Sequence, residues 1–307
     1  MRPGAAIALA VALAAAACGD DDAGAPGVDA GAPGAADAAP GPDANPLVVA
    51  RPYGIEVPDS YDATKPTPVV LLLHGYSASA FIQVRLFGLL DGAQAHGYIT
   101  VYPDGLVDST GAQFWNATDA CCNIDNNPVD DVAYLGAVLD DVEAHYHVDP
   151  KRVYVMGHSN GGYMAHRLAC DLGERIAGIV SLAGMQWKDP TKCPAGHVVN
   201  VLQVHGDADD TVPYEGNARI PSAAQTVETW AEKNGCSGAG AIGPGGDPID
   251  LVVDLDSAET TKQSYGGCPA GGAVDFWTIH GGAHLPMFVP ANWEAVMWSW
   301  LEAHPKP

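Results

Sequence analysis

Apolar residues along this chain gather into short dense runs, and between the runs they recur at helical spacing. VVLLL (Val69 to Leu73) is a continuous apolar run, as expected of a strand buried on both faces. YITVY (Tyr98 to Tyr102), VYVM (Val153 to Met156), Ile176 to Leu182, Val198 to Val204 and Val274 to Ile279 read as further strands. Tyr53 to Val57 reads as an edge strand. Val132, Leu135, Leu139, Val142 and Tyr146 keep helical spacing and predict a helix over 129–147. Other helices are expected from Asn160, over 221–233 with Pro221 near the start, and over 291–303. Strands alternating with helices predict an α/β fold: a mostly parallel central sheet, helices on both faces, and the site at the strands' carboxyl ends. Residues 237–250 and 264–273 are turn-rich and are expected to flank a surface hairpin. Neither has the strand–helix context of a phosphate cradle.

The first 46 residues lack this pattern. Arg2 supplies a positive start, and Ala5 to Ala17 is apolar but too short for a membrane anchor. The stretch ends in Ala-Ala-Ala-Cys18, which resembles a bacterial lipobox. On that reading residues 1–17 are a signal peptide and Cys18 becomes the lipidated first residue; ordinary cleavage nearby is the alternative. Residues 19–46 are almost wholly Gly, Ala, Pro and Asp, so they are expected to form a disordered, extended spacer. The folded domain is then 47–307, in an exported protein: extracellular, periplasmic or held at the cell envelope.

Charge narrows the partners. The 307 residues carry 14 basic and 37 acidic side chains, a formal net charge of −23. Such a surface repels phosphate backbones and anionic lipid, so nucleic acid is excluded as a partner and membrane contact is expected only through the N-terminal lipid. A monomer is expected. Of seven cysteines, setting Cys18 aside leaves six, an even number that reads as disulfides in an exported chain. Cys236 is expected to pair with Cys268 across the glycine-rich insertion. Neighbouring Cys121 and Cys122 are expected to pair elsewhere, with Cys170 and Cys193 as the candidates. Zinc is the poorer reading: there is no C-x-x-C and no paired-histidine spacing.

Gly157-His158-Ser159-Asn160-Gly161 lies between the strand VYVM and the helical NGGYMAHRLA. G-x-S-x-G between strand and helix is a nucleophile elbow; an ordinary turn with a capping serine is the plainer reading. A serine hydroxyl needs a base oriented by an acid. After the strand ending in Val204 comes His205-Gly206-Asp207-Ala208-Asp209-Asp210, and Asp209 is the chosen acid. After the strand ending in Ile279 comes His280-Gly281-Gly282-Ala283-His284, and His284 is the chosen base. His205 and His280 read as packed structural histidines. The oxyanion needs two N–H donors, expected from Tyr76, in the His74-Gly75-Tyr76 loop, and from Asn160. No metal or organic cofactor is required.

VVLLLHGYSAS, YPDG, FWNATDACCN, VDDVAYL, RVYVMGHSNGGYMAHRLAC, HGDADDTVPY and GGAHLP together resemble the polyhydroxybutyrate depolymerase–feruloyl/acetylxylan esterase family of α/β-hydrolases. The resemblance covers residues 50–303. It implies an α/β-hydrolase fold, Ser159, Asp209 and His284 as triad, and the Tyr76 loop as oxyanion hole. It also implies a cysteine-bearing loop near Trp115 at the site, with Asp130-Asp131 opening the next helix. Two positions depart from the family's usual pattern: Tyr76 stands where a small residue or Cys is common, and Leu285 where Trp is common. Trp115, Trp187 and Tyr214, with Leu285, are candidates to touch substrate; for each aromatic, loop packing is the equal alternative. The expected activity is ester hydrolysis through an acyl-enzyme. A polyhydroxyalkanoate-type polyester or its oligomers is the first substrate reading, and ferulate or acetate on plant polysaccharide the second. A catalytically inactive surface binding module on the same scaffold is the rival from another class; it requires a missing triad member.

Overall fold

A computed structural model describes residues 45–307 except 195 and 238–241. The chain divides into two units, Met1–Gly34 and Ala35–Pro307, and all the described residues lie in the second. The expected signal peptide, Cys18 and residues 19–44 of the expected spacer lie outside the described residues. Residues 45 and 46 of the expected spacer are among the described residues. Asn45 accepts a hydrogen bond from the Leu47 N–H and caps a short helix α1 (Pro46–Ala50), whose Val48 is buried.

The remaining elements run in chain order. They are β1 (Tyr53–Glu56), β2 (Thr67–Leu73), α2 (Ala80–Leu86), α3 (Leu89–His96), β3 (Ile99–Pro103), β4 (Leu106–Val107) and β5 (Gln113–Phe114). Then come α4 (Asp131–His145), β6 (Val148–His158), α5 (Asn160–Asp171), β7 (Gly178–Leu182) and β8 (Asn200–Gly206). Last are α6 (Ala223–Asn234), β9 (Ile242–Pro244), β10 (Thr260–Tyr265), β11 (Val274–Ile279) and α7 (Pro290–Ala303). Nine strands form one sheet in the order β1-β3-β2-β6-β7-β8-β11-β10-β9, and β4 pairs with β5. The run from β3 to β11 is parallel. β1, β10 and β9 add antiparallel edges. This is an α/β-hydrolase fold.

Strand side chains alternate faces, and the core splits accordingly. Val69, Leu71, Leu73, Val153 and Val155 point into a layer with α4, α5 and α6, where Leu135, Leu168 and Trp230 are buried. Val70, Leu72, Tyr154 and Met156 point the other way, onto α2, α3 and α7, where Val84, Leu89 and Trp293 are buried. Both faces of β2 are fully covered, which is why its sequence is an unbroken apolar run.

Three expectations change. β10 was hidden: its residues TTKQSY are mostly half-exposed, so no apolar run marks them. The turn-rich residues 266–273 are therefore the bend of a β10–β11 hairpin, and β9 pairs on β10's far side. Pro221 precedes α6, whose cap is Ser222 in a reciprocal bond with Gln225. Cysteine pairing is also corrected. Cys236 joins Cys268 as expected, but Cys170 joins Cys193 and Cys121 joins its neighbour Cys122 across a cis peptide. The fold brings Cys170, near the end of α5, within 5.2 Å (Cα to Cα) of Cys193, ordinary disulfide spacing. That removes both of the expected partners of the 121–122 pair.

Candidate active site

Ser159 sits between the last residue of β6 and the first of α5, with φ 53° and ψ −119°. Positive φ is unfavourable for a residue with a side chain, so this elbow costs about 1–3 kcal/mol. The surroundings enforce it. The Ser159 N–H donates to the Leu182 carbonyl at 2.8 Å, and the Ser159 carbonyl accepts from Tyr163 N–H at 2.9 Å. A Cβ at Gly157 would collide with the Gly161 carbonyl, and one at Gly161 would collide with that of Leu73. Two glycines flanking the serine are thus a packing requirement of the sharp strand-to-helix turn.

His284, in the loop after β11, places Nε2 2.9 Å from Ser159 Oγ and Nδ1 2.8 Å from Asp209 Oδ2. A carboxylate can only accept, so Nδ1 carries the proton and Nε2 offers its lone pair to the serine hydroxyl. Asp209 is buried after β8. Its Oδ1 accepts from the backbone N–H groups of Thr211 and Val212, at 2.9 and 2.8 Å. His205 Nε2 stands 3.2 Å from its Oδ2. Burial pushes the Asp209 carboxyl up, but bonds from His205, His284 and the Val212 backbone outweigh it and hold the group well below the usual carboxylate range. Asp207, the other acid of that loop, instead accepts from His280 and from Gly281 N–H. His280 is half-exposed rather than packed, a correction to its expected burial; its ring faces Asp207 and Thr261 at the open sheet edge.

Asn160 opens α5, so its N–H is among the donors a helix leaves unpaired. The Tyr76 peptide is aimed by His74. The Gly105 N–H donates to His74 Nε2 at 2.8 Å, which leaves the His74 proton on Nδ1, donated to the Gly75 carbonyl at 2.8 Å. C=O and N–H point oppositely across a trans peptide, so pinning the Gly75 carbonyl turns the Tyr76 N–H the other way. Gly75 itself packs beside Ser159, where a Cβ would stand 3.5 Å from that of the serine. The Tyr76 side chain turns to Asp108, bonding its carboxylate at 2.6 Å.

The candidate substrate residues divide. Trp115 is corrected to a packing residue: it is wholly buried, and its Nε1–H donates to the His74 carbonyl. Its backbone is gripped from both sides by the Asn160 amide, at 2.7 and 3.0 Å, which ties the 115 segment to the Ser159 turn. Tyr214 stacks on Phe276 and bonds Thr278. Trp187 lines a cleft of about 700 Å³ with Arg167, Arg219, Ile124 and the Cys121–Cys122 pair. Leu285 follows His284 and is 46% exposed. No sequence signal gave a role to His158, the residue just before the serine. Its ring donates from Nε2 to the His284 carbonyl at 3.0 Å, and burial pushes it down to about 4, so it is neutral.

A hydroxyl bonded to an imidazole that a carboxylate orients can attack a carbonyl carbon, and backbone N–H donors at the start of a helix can stabilise the oxyanion that forms. The comparisons with known proteins agree in kind. The family model Esterase, described as "Putative esterase", matches residues 50–239. "Putative esterase NocK" of Nocardia uniformis subsp. tsuyamanensis is 30% identical over 71% of this chain and 64% of its own length. Feruloyl esterase B of Piromyces equi is 25% identical over 79% of this chain and 44% of its own. The chain thus spans less than two thirds of these two curated relatives. The solved acetyl xylan esterase from Aspergillus awamori superposes with a TM-score of 0.56 at 15% identity, covering 81% of this chain and 93% of that one, a likeness of fold. With more than half of its length matched by that family model, the chain belongs to the esterase family of α/β-hydrolases.

Proposed function

We propose that this chain is a serine carboxylic ester hydrolase working through an acyl-enzyme at Ser159. The observation that carries the reading is His284 bridging Ser159 Oγ and Asp209 Oδ2 at 2.9 and 2.8 Å. His284 takes the Ser159 proton as the hydroxyl attacks the ester carbonyl, and Asp209 stabilises the imidazolium. The N–H groups of Tyr76 and Asn160 receive the oxyanion. His284 then protonates the departing alcohol. Water, deprotonated by His284, attacks the acyl-enzyme and frees the acid. These steps need no cofactor.

For substrate, we propose ferulate or acetate esters on plant polysaccharide. The names of the Piromyces and Aspergillus proteins support this class. The Trp187 cleft beside the 115 segment offers room for the sugar side. A polyester such as polyhydroxyalkanoate is the second reading. Exposed apolar side chains favour it: Phe81 and Ile82 follow the Tyr76 loop, and Leu285 and Met287 follow His284. The proposal extends to export, supported by three disulfides among the described residues. Lipidation at Cys18 and a spacer before the domain belong to the same proposal, as does a monomeric state. Mass spectrometry of the mature N-terminus checks the first.

The test is hydrolysis of a short-chain p-nitrophenyl ester by the wild type and by Ser159→Ala. Loss of activity in the variant is expected; full activity in the variant sinks the Ser159 reading, whereas an inactive wild type leaves the inactive-scaffold alternative. Methyl ferulate, acetylated xylan and polyhydroxybutyrate films then separate the substrate classes, and activity on films alone overturns the polysaccharide reading.

A further inference from the structure

We propose that Trp230, His166 and Gln203 are positioning residues that hold the His205 ring at Nδ1, in the tautomer whose Nε2–H faces the acid Asp209. The functional part of this inference rests on the ester-hydrolase reading above.

Four fully buried side chains form a line from α6 through α5 to β8. Each hydrogen bond forces the direction of the next. An indole Nε1 can only donate. Trp230 Nε1 stands 3.0 Å from His166 Nδ1, so that nitrogen must be an acceptor. Burial pushes His166 down to about 4, so the ring is neutral at working pH and its one proton is on Nε2. That proton goes to Gln203 Oε1 at 2.9 Å. The amide is thereby oriented, and its NH₂ donates to the Gly184 carbonyl at 2.8 Å and to His205 Nδ1 at 3.3 Å. Reversing the Gln203 amide would set NH₂ against the His166 N–H, donor against donor.

With Nδ1 accepting, His205 carries its proton on Nε2. There it meets the Val212 carbonyl at 2.9 Å and Asp209 Oδ2 at 3.2 Å. Oδ2 is also the oxygen that takes the His284 proton. In the other tautomer, a bare Nε2 lone pair would face both a carbonyl and the carboxylate, in a site closed to water. The donor-only indole at one end and the two acceptors at the other thus demand the same proton arrangement, and the line holds the His205 ring at Nδ1 while its Nε2–H faces Asp209. Besides His205 and His284, the titratable groups felt around Asp209 are His158 and Tyr163.

The direct test is ¹⁵N long-range correlation spectroscopy of histidine-labelled full-length protein, which reads tautomers independently of activity. The wild type is expected to show His205 protonated on Nε2 and His166 protonated on Nε2. Gln203→Met removes the donor at similar volume and is expected to shift the His205 Nδ1 signal toward that of a lone pair without a donor. A wild-type His205 protonated on Nδ1 overturns the proposal whether or not the chain hydrolyses esters.

Kinetics on a p-nitrophenyl ester then read the consequence. Gln203→Met and His166→Leu are expected to lower kcat about tenfold to a hundredfold, with KM little changed. The acidic limb of the kcat/KM profile should move upward, because Asp209 without its donor attracts the His284 proton more strongly. His166→Gln can accept from Trp230 and donate to Gln203 without titrating, and should recover most of the lost rate. Circular dichroism establishes that each variant is folded. Folded Gln203→Met and His166→Leu with wild-type kcat and acidic limb would reduce the line to packing and overturn its positioning role. Ser159→Ala that stays fully active would instead sink the ester-hydrolase reading and leave the tautomer result standing.

Discussion

The His158 ring donates from Nε2 to the backbone carbonyl of His284, 3.0 Å away. The residue beside Ser159 therefore tethers the loop that presents His284. Side chain and loop come from β6 and from the segment after β11, so the bond spans the sheet's carboxyl edge. His158→Leu should keep the fold and lower kcat about tenfold to a hundredfold, with KM close to wild type, since a small shift of a reacting group costs rate more than binding. Steady-state kinetics on a soluble ester check this. An unchanged kcat would mean that the His284 loop holds its place without the tether.

Asp209 and Asp207 lie two residues apart and meet different histidines. Asp209 bonds His284, and Asp207 bonds His280 at the exposed edge. In Asp209→Asn the amide NH₂ would face His284 Nδ1 and drive its proton to Nε2, the wrong nitrogen for a base. A fall in kcat of about 10⁴ is expected from that inversion. Asp207→Asn should leave the rate near wild type. Parallel measurement of the two variants decides it, and the reverse order would move the orienting role to Asp207.

These contrasts also show what a sequence carries. That Ser159, Asp209 and His284 meet was readable because each follows a strand whose buried face demands an apolar run. Val274 to Ile279 even has the same bounds in sequence and structure. Helices α2 and α3 were not readable: AFIQVRL and LLDGAQAH are two turns each, interrupted by Phe87-Gly88, too short to establish a period. Trp115 looked like a substrate platform because aromatic residues in loops often are. Its burial depends on His74 and Asn160 reaching it from 41 and 45 residues away. Disulfide partners are likewise set by spatial approach, which no spacing rule supplied for Cys170 and Cys193.

Buried neutral histidines give the stability a defined pH dependence. Burial pushes both His158 and His166 from 6.5 to about 4. Below 6.5 the unfolded chain binds protons at these sites and the folded chain does not, so stability rises with pH across this window. The contribution is complete above the unfolded value near 6.5 and is lost as pH falls toward 4, at about 3 kcal/mol per histidine. The depressed Asp209 carboxyl acts in the same direction, beginning lower, near the ordinary carboxylate value. Thermal unfolding followed at pH 7.5, 5.5 and 4.5 should therefore show a steep fall in Tm. His166→Gln should flatten the fall between 6.5 and 4.5. A wild-type Tm independent of pH over that range would refute the assignment.

The three disulfides should differ in what they stabilise. Cys170–Cys193 and Cys236–Cys268 have sequence separations of 23 and 32, whereas Cys121–Cys122 has a separation of 1. Cross-linking stabilises mainly by restricting the unfolded chain, and loops of the first two lengths are worth about 3 to 4 kcal/mol each. The paired change Cys170→Ser with Cys193→Ser should thus lower Tm by about 10 °C. Cys121→Ser with Cys122→Ser encloses no intervening chain and should change Tm far less. Its effect belongs to the cleft that the pair lines with Trp187 and Arg219. KM for a bulky ester such as a feruloylated oligosaccharide should rise in that variant, while KM for p-nitrophenyl acetate should not. Calorimetry and the two KM values together test both halves, and an equal loss of Tm in the two double variants would overturn the entropic account.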